Sequence, residues 1–392
     1  MSYPLIPLGQ LAKFINGDRG KNYPSKDSFV DAGIPFINAG CLSDRWLLDS
    51  SKFNYISAES YDRLSSGKIQ KYDILFCLRG SVGKFAVIRD DNKGALASSL
   101  IILRSNEKVD VEYLKHYLAS SLCSRELDNY QNGAAQPNLS ANDFKKFLVP
   151  LPTLTEQRRI AVILDQADEL RQKRQQAIEK LDQLLQATFI DMFGDPVSNP
   201  KGWDKEKMDA LMTIVRGGSP RPIENFLGGT YPWIKIGDAT KGDDLFITKT
   251  KEAITEEGLH KTRLLPEGSV IFANCGVSLG FARILKIQGC IHDGWLAFQD
   301  ISEDKIHKLF LLKALNSITQ YFRDTAPDGT QPNLNTAIMK NFELIIPPMD
   351  LQLKFIAIVE SIVKQKKILE NSNIQFFNLF ESLQNQAFSG TL

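Results

Sequence analysis

The sequence predicts an α+β chain built as an internal tandem repeat. Two mixed α/β domains sit at opposite ends of a long antiparallel two-helix coiled coil, related by a pseudo-two-fold axis. Gln136-Pro137-Asn138-Leu139 returns as Gln331-Pro332-Asn333-Leu334, an offset of 331 − 136 = 195 residues. At that offset a strand, a proline break and a long helix follow each copy. Phe147-Leu148-Val149-Pro150-Leu151-Pro152 answers to Phe342-Glu343-Leu344-Ile345-Ile346-Pro347, Gln157 to Gln352, Ile160 to Phe355 and Phe193 to Phe388. Both helices carry apolar residues at alternating spacings of three and four, the signature of a coiled-coil seam. Such a duplication points to two similar surfaces, suited to a two-sided object or to two copies of a partner.

The elements divide the chain into residues 1–152, 153–194, 195–347 and 348–392. In 1–152, Ile34-Pro35-Phe36-Ile37, Asp73-Ile74-Leu75-Phe76-Cys77 and Phe85-Ala86-Val87-Ile88 read as strands between Gly, Asn, Asp and Pro turns. Glu112 to about Cys123 reads as a short helix, with apolar Tyr113, Leu114, Tyr117 and Leu118. Residues 195–347 repeat the plan, with strands Tyr231–Ile234, Ser269–Phe272 and Phe281–Ile284 and a helix near Lys308 to Tyr321. Offsets in the globular parts drift to about 200, whereas the helices keep 195. Loops changing on a fixed frame leave that trace.

The central helix (153–194) has Thr153 or Thr155 as its cap and ends at Gly194-Asp195-Pro196. The C-terminal helix (348–392) has Asp350 as its cap and ends at Gly390. The seam runs through Ile160, Ile163, Ala167, Leu170, Arg174, Ala177, Leu181, Leu184 and Thr188. In the second helix it runs through Phe355, Ile358, Ile362, Gln365, Leu369, Ser372, Phe376, Leu379 and Leu383. Leu164, Ile178, Leu185, Phe189, Val359, Ile368 and Phe380 widen the apolar face enough to meet more than one neighbour. About forty residues at 1.5 Å each give a rod of roughly 60 Å. The alternative is two amphipathic helices buried in two separate domains.

At 392 residues, 43% hydrophobic and 24% charged, the chain has the composition of a globular protein with two or three cores. No apolar run reaches the roughly 18 residues of a membrane span, and Met1-Ser2-Tyr3-Pro4 lacks the pattern of a secretion signal. The expectation is a cytoplasmic chain without membrane contact. Five cysteines without paired spacing read as reduced thiols. A net charge of +1 requires any phosphate-binding cations to be local, or supplied partly by other subunits.

The motifs argue against catalysis. Gly80-Ser81-Val82-Gly83-Lys84 has two residues between its glycines and Phe85 after Lys84, whereas a phosphate-binding Walker loop needs four and a Ser or Thr. His292-Asp293 lies near Cys290 and Cys275 in sequence, without the spacing of a metal site. Glu303-Asp304-Lys305 holds a nuclease-like Glu-x-Lys in a polar loop, with no partnering Asp on a strand. Neither an Asn-Pro-Pro-aromatic methyltransferase motif nor a glycine-rich S-adenosylmethionine loop occurs. The expectation is a non-enzyme with no catalytic, cofactor or metal residues.

The positive signals point to DNA. Arg79-Gly80-Ser81-Val82-Gly83-Lys84 places two cations on a glycine-opened turn after a strand, a form that presents N–H groups and charge to phosphates. Its counterpart Asn274-Cys275-Gly276-Val277-Ser278-Leu279-Gly280 keeps the glycines and loses the cations. Asn16-Gly17-Asp18-Arg19-Gly20-Lys21 matches Arg216-Gly217-Gly218-Ser219-Pro220-Arg221. Side chains of these types read base edges. The candidates are Arg19, Lys21, Asn38, Arg79, Ser81, Lys84, Gln136 and Asn138 in the first half. In the second half they are Arg216, Ser219, Arg221, Lys235, Asn274, Ser278, Gln331 and Asn333.

The whole arrangement resembles the specificity (S) subunit of type I restriction–modification systems. The resemblance rests on Asp73-Ile74-Leu75-Phe76 with its Arg79–Lys84 turn, on the two Gln-Pro-Asn-Leu copies, on Pro-Leu-Pro followed by Glu156-Gln157-Arg158-Arg159-Ile160, and on the closing Phe-Gly and Phe-Ser-Gly segments. The chain departs where the second turn lacks Arg and Lys, and where Met349-Asp350-Leu351-Gln352-Leu353-Lys354 replaces the usual Glu-Gln-basic start. The resemblance implies two target-recognition domains, each reading one half of an asymmetric, interrupted site in double-stranded DNA. The helices would set the gap and bind two modification subunits through faces that include Ile160, Ile163, Leu170, Leu181, Leu184, Phe355, Ile358, Leu369, Phe376 and Leu379. It also implies S-adenosylmethionine on the modification subunits, and ATP and Mg with two restriction subunits that translocate and cleave. The rival readings are a coiled-coil scaffold whose end domains bind proteins without DNA readout, and a self-sufficient nuclease or methyltransferase.

Overall fold

The computed structural model describes residues 3–130, 138–240, 245–326 and 333–392. The chain divides into two compact units, Met1–Gln175 with Asn371–Leu392, and Gln176–Glu370. The cuts stand 371 − 176 = 195 residues apart, so each repeat is divided at the same point. That point lies inside each long helix, Leu154–Phe193 and Met349–Ser389. The four-segment expectation places its boundaries at the helix ends, whereas these cuts fall within the helices. Each begins in the core of one unit and ends in the core of the other. At the cuts stand Arg171-Gln172-Lys173-Arg174-Gln175-Gln176 and Lys366-Lys367-Ile368-Leu369-Glu370-Asn371, among which Ile368 is exposed and Leu369 only half-buried.

Among the described residues the first unit has a four-stranded antiparallel sheet in the order Ala12–Asn16, Leu100–Ser105, Ile74–Cys77, Phe85–Val87. The strand Ile74–Cys77 is buried on both faces, as its unbroken apolar run requires. Ile74 and Phe76 face a core shared with the helix Val111–Leu118, while Leu75 and Cys77 face a second core with Ile37 and Leu96. A three-stranded sheet, Asn54–Ile56, Ile34–Ile37 and Ala95–Leu96, covers that second side. The short pair Leu5–Pro7 and Leu148–Pro150 closes the unit next to the long helix.

The second unit repeats this topology and adds one strand to each of the two larger sheets. The main sheet runs Thr213–Arg216, Trp295–Gln299, Val270–Ala273, Ala282–Leu285, then Phe246–Ile247. The other runs Glu252–Ile254, Leu227–Ile234, Gly289–Ile291, then Arg263–Leu265. Lys205–Lys207 pairs with Glu343–Ile345. Each expected single helix is two: Val111–Leu118 with Ser121–Tyr130, and Lys308–Ser317 with Thr319–Thr325.

Gln157 and Gln352 explain why the repeat kept a glutamine at the start of each long helix. Both are buried. Gln157 accepts from the Asp110 N–H at 2.8 Å and donates to the Lys108 and Pro152 carbonyls at 3.1 and 2.9 Å. Gln352 accepts from the His307 N–H at 2.9 Å and donates to the Lys305 and Pro347 carbonyls, both at 2.9 Å. One amide thus ties the proline break, the loop before the domain helix and the long helix together.

The buried stripe of the long helices differs from the expected heptad seam. In the first unit Ile160, Leu164 and Ala167 of the central helix join Phe380, Ala387 and Phe388 of the C-terminal helix in one core. In the second unit Phe355, Val359 and Ile362 join Leu185, Phe189 and Phe193. These are the same repeat positions, 195 residues apart, except that Phe189 stands where the first unit has Gln384 and Ala387 answers to half-buried Met192. Leu170, Leu184, Ile358 and Leu379 fall one residue short of the stripe and are exposed. From Ile160 to Phe193 the stripe spans 193 − 160 = 33 residues, close to nine turns of a straight helix. A heptad seam drifts about 20° from a straight helix every seven residues. Within each unit the buried face meets both the globular core and the other long helix. Ile163, Leu181, Leu369 and Phe376 are half-buried. Within the first unit Arg174 reaches the Ser372 hydroxyl and lies over Phe376, and within the second Lys366 pairs with Asp182 at 2.6 Å.

Candidate nucleic-acid interface

In each unit the central strand runs into a glycine turn, and the Asn-Leu pair at 138–139 or 333–334 returns to it. After Ile74–Cys77, Gly80 and Gly83 take φ values of 77° and 92°, the left-handed region that favours glycine. The Cys77 N–H donates to the Lys84 carbonyl at 2.8 Å, closing the turn. Asn138 then forms a β-bridge with Arg79, and the Leu139 N–H donates to the Leu78 carbonyl at 2.9 Å. In the second unit Asn333 bridges Cys275, and the Leu334 N–H donates to the Asn274 carbonyl at 2.8 Å. The two motifs singled out in the sequence are thus one structure, repeated. Gln136 and Gln331 lie outside the described residues.

The side chains on this common backbone differ. In the first unit Arg79 and Ser81 are exposed, and Arg79 has no side-chain partner among the described residues. Lys84 pairs with the exposed Asp44 at 3.0 Å. A surface pair of this kind is worth about 0–1 kcal/mol, so a phosphate can displace the carboxylate. In the second unit Cys275 stands at the Arg79 position, and Ser278 is half-buried. Asn274 is fully buried and donates to the Asn333 side chain at 3.2 Å and to the Leu334 carbonyl at 3.3 Å. It holds the returning segment and presents no edge to a groove, contrary to the expectation from sequence. The exposed strand end suggested a surface; the returning chain covers it.

The loops after the first strand of each main sheet also match. A Cβ on Gly17 would meet the Leu96 carbonyl at 2.7 Å, and one on Gly217 the His292 carbonyl at 2.2 Å, so neither position tolerates a side chain. Beyond that shared approach the units diverge. In the first, Asp18 accepts from the Gly20 N–H and from the Ser65 N–H and hydroxyl, each at 2.9 Å. Those bonds hold its carboxyl below the usual carboxylate range. Arg19 donates to the Ser98 carbonyl at 3.2 Å, and exposed Lys21 has no partner among the described residues. Asn38 caps a short turn by accepting from the Gly40 N–H at 2.8 Å.

In the second unit Asp293 gathers the cations. Arg216 donates to its main-chain carbonyl at 2.8 Å, Ser219 to one carboxylate oxygen at 2.7 Å, and Arg221 to the other at 3.2 Å. Burial pushes the Asp293 carboxyl up, but the Ser219 hydrogen bond and the nearby His292 and Arg221 outweigh it and hold it low. Lys235 pairs with Glu252 at 2.6 Å. Ser219, Arg221, Lys235, Trp233 and His292 line an open cleft of about 630 Å³. His292 and Asp293, noted in the sequence for a metal, serve this loop instead. Among the described residues no three His, Cys, Asp or Glu side chains gather as a metal site. Sequence reasoning missed Asp44, Asp293 as a partner of cations, and Ser65. Asp44 and Asp293 lie 40 and 72 residues from the Lys84 and Arg221 they pair with, beyond any local pattern.

The family model described as "Type I restriction modification DNA specificity domain" matches the chain twice, over residues 5–180 and 200–375. The chain belongs to that family. The matched segments begin 200 − 5 = 195 residues apart, and each takes in one globular part and the first 27 residues of the helix that follows (180 − 154 + 1 and 375 − 349 + 1). The specificity subunit of the type I restriction enzyme MjaIX from Methanocaldococcus jannaschii is 25% identical, over 86% of this chain and 81% of its own length. That of EcoKI from Escherichia coli is 21% identical, over 99% and 89%. Among solved structures, a chain from work on complex assembly and conformational transition of the type I restriction–modification system superposes with a TM-score of 0.64. It is 18% identical and covers 100% of this chain and 98% of its own. The S subunit from M. genitalium gives 0.54 at 16% identity, covering 99% and 96%. These structures share the fold of this specificity-family chain. No helix among the described residues is long and apolar enough to cross a membrane.

Proposed function

We propose that this chain is the DNA-reading specificity subunit of a type I restriction–modification complex, working in the cytoplasm and itself non-catalytic. Each unit reads one half of an asymmetric, interrupted site in double-stranded DNA. The observation that carries the reading is the shared turn-and-return structure, in which the returning segment pairs with the strand end in the same way in both units, while the turn of the second is one residue longer and the exposed side chains differ. A common frame with unlike side chains suits two unlike half-sites.

The units divide the labour electrostatically. Exposed Arg79 and Lys21 give the first unit cations for phosphates. In the second unit Arg216 and Arg221 are pre-oriented by Asp293, which suits directional contact with base edges more than charge alone. Two modification subunits carrying S-adenosylmethionine bind the repeated helical faces and supply the rest of the phosphate clamp. Two restriction subunits bring ATP and Mg. A helical frame of roughly 60 Å approaches two turns of DNA, about 70 Å, and sets the gap.

Inserting one helical turn after Gln172, and the matching turn after Lys367, tests this. The complex formed with the modification subunit should methylate the same two half-sites across a changed gap. Altered half-sites with an unchanged gap would refute the role of the helices. A chain that binds its modification subunit but shows no base preference would favour the scaffold reading.

A further inference from the structure

The open cleft of the second unit holds two hydrogen-bond donors without a partner among the described residues. Trp233 lines it and is only 3% exposed, yet its indole N–H makes no hydrogen bond there. The neighbouring Trp295 indole, also buried, donates to the Ile234 carbonyl at 3.2 Å. The Trp233 N–H is not sealed in, so it opens on the cleft it lines. His292 lies against Trp233, with ring centroids 6.1 Å apart. Its Nδ1 accepts from the Gly294 N–H at 2.8 Å, which places the ring proton on Nε2. Burial pushes the His292 ring below its ordinary value, so it is neutral near pH 7. Its Nε2–H is the second donor without a partner. A buried donor left unpaired is costly, so this pair points to an acceptor from outside the chain.

The first unit lacks both donors. Trp233 pairs with Cys290 as Phe36 pairs with Ala95, so Phe36 stands at the Trp233 position. His292 lies two residues beyond Cys290, and Ala97 two beyond Ala95. Phe36 and Ala97 are buried and carry no side-chain donor. The charge of the cleft is balanced. Arg221 and Lys235 pair with Asp293 and Glu252, and Glu224 adds a third carboxylate. A phosphate therefore finds no surplus cation here. Pro222, Ile223 and Ile236 add apolar wall. The combination of apolar walls and uncharged donors suits a flat, neutral group with acceptors on its edge, as a nucleobase is. A side chain as recessed as Trp233 cannot enter a major groove about 8.5 Å deep, so the base must come to it.

We infer that this cleft receives one base of the target DNA after it has left the stack, and that the base is a guanine or a cytosine. This deepens the DNA-reading function proposed above and rests on it. Two neighbouring donors call for two neighbouring acceptors. Guanine has them at N7 and O6. Cytosine, once unpaired, has them at N3 and O2. In thymine a ring N–H separates the two carbonyls, and in adenine the amino group stands beside both N7 and N1. The apolar side chains hold the faces of the base, and the Trp233 and His292 N–H groups read its edge. The first unit, with Phe36 and Ala97 at these positions, makes no such reading.

The test uses the complex of the full-length chain with its modification subunit, bound to duplexes of its own target in which each base in turn faces an abasic site. A base that is already unpaired leaves the stack more easily. One guanine or cytosine in one half-site should therefore bind about tenfold or more tighter in this form. Trp233→Phe installs the first unit's residue, and His292→Asn keeps an acceptor for the Gly294 N–H. Each should remove most of that gain and leave the other half-site unchanged, and each checks the other against misfolding. No gain at any guanine or cytosine would overturn the proposal, as would a gain that survives both variants. Equal weakening on every sequence with a lower salt slope would mark a phosphate contact and overturn it too. Binding of free dGMP or dCMP without any such gain would give the cleft to a free nucleotide, against the proposal. A wild-type complex that prefers no DNA sequence would instead overturn the function on which the proposal rests.

Discussion

Replacing Gln157 with leucine should destabilise the first unit and leave the second intact; Gln352→Leu should do the reverse. Each glutamine makes three hydrogen bonds to main-chain groups and is almost fully buried. Leucine has nearly the same size and removes all three, stranding one N–H and two carbonyls. At about 0.5–1.5 kcal/mol for each net hydrogen bond, the loss is about 2–4 kcal/mol. For a unit of this size that lowers the melting temperature by about 4–16 °C. The Asp110 N–H stranded by Gln157→Leu belongs to the residue whose carboxylate caps Val111–Leu118 by accepting from the Glu112 N–H at 2.9 Å. Hydrogen exchange read by mass spectrometry should therefore show lost protection at that helix and at the start of the central helix, with no change in residues 213–345. A loss below about 1 kcal/mol, or protection lost equally in both units, would refute the role assigned to the amide.

Substituting Arg79 and Lys21 together with alanine should lower the salt dependence of DNA binding by up to about two phosphate contacts, a change in slope of about 1.8. An unchanged slope removes both from the phosphate inventory. The first unit should also be the more acid-sensitive at one contact. Burial holds the His116 ring below its ordinary value, and His116 and Lys115 hold the Asp165 carboxyl at about 2 against the opposing effect of its own burial. A histidine depressed in the folded chain takes up its proton mainly on unfolding, so its contribution falls as pH drops below the unfolded value of about 6.5. The Asp165 contribution is present above about 4 and is lost as pH falls toward 2. The second unit has buried Phe310 and Leu311 at the positions of Lys115 and His116. His116→Leu should therefore gain stability relative to wild type between pH 7 and pH 5, read from urea midpoints; a pH-independent difference would contradict this.

The repeat and the central strands were legible because continuous apolar runs and a constant offset survive any loop change. Leu100-Ile101-Ile102-Leu103 carried the same signal as Asp73–Cys77 and forms the neighbouring strand, although the sequence reading passed over it. The helix face was legible only in part. Leu170, Leu184, Ile358 and Leu379 satisfy a heptad on paper, but burial is decided by the cores in which each helix end meets the globular part and the other long helix. At the candidate interface, the glycines and the Asn-Leu returns announced the backbone. The carboxylates that decide which cations are available come from distant loops, so Arg79 and Arg221 looked alike in sequence and stand in different environments. Asn274 looked like a groove-facing amide because nothing local shows that residues near 333 fold over it.

The central claim is that two unlike readers on one repeated frame specify one interrupted site. Single-molecule sequencing of DNA methylated by this chain with its modification subunit measures that directly. The account predicts a single motif of two different half-sites separated by a fixed run of unspecified bases, lost when either subunit is omitted. A continuous motif, two identical half-sites, or methylation by this chain alone would contradict it.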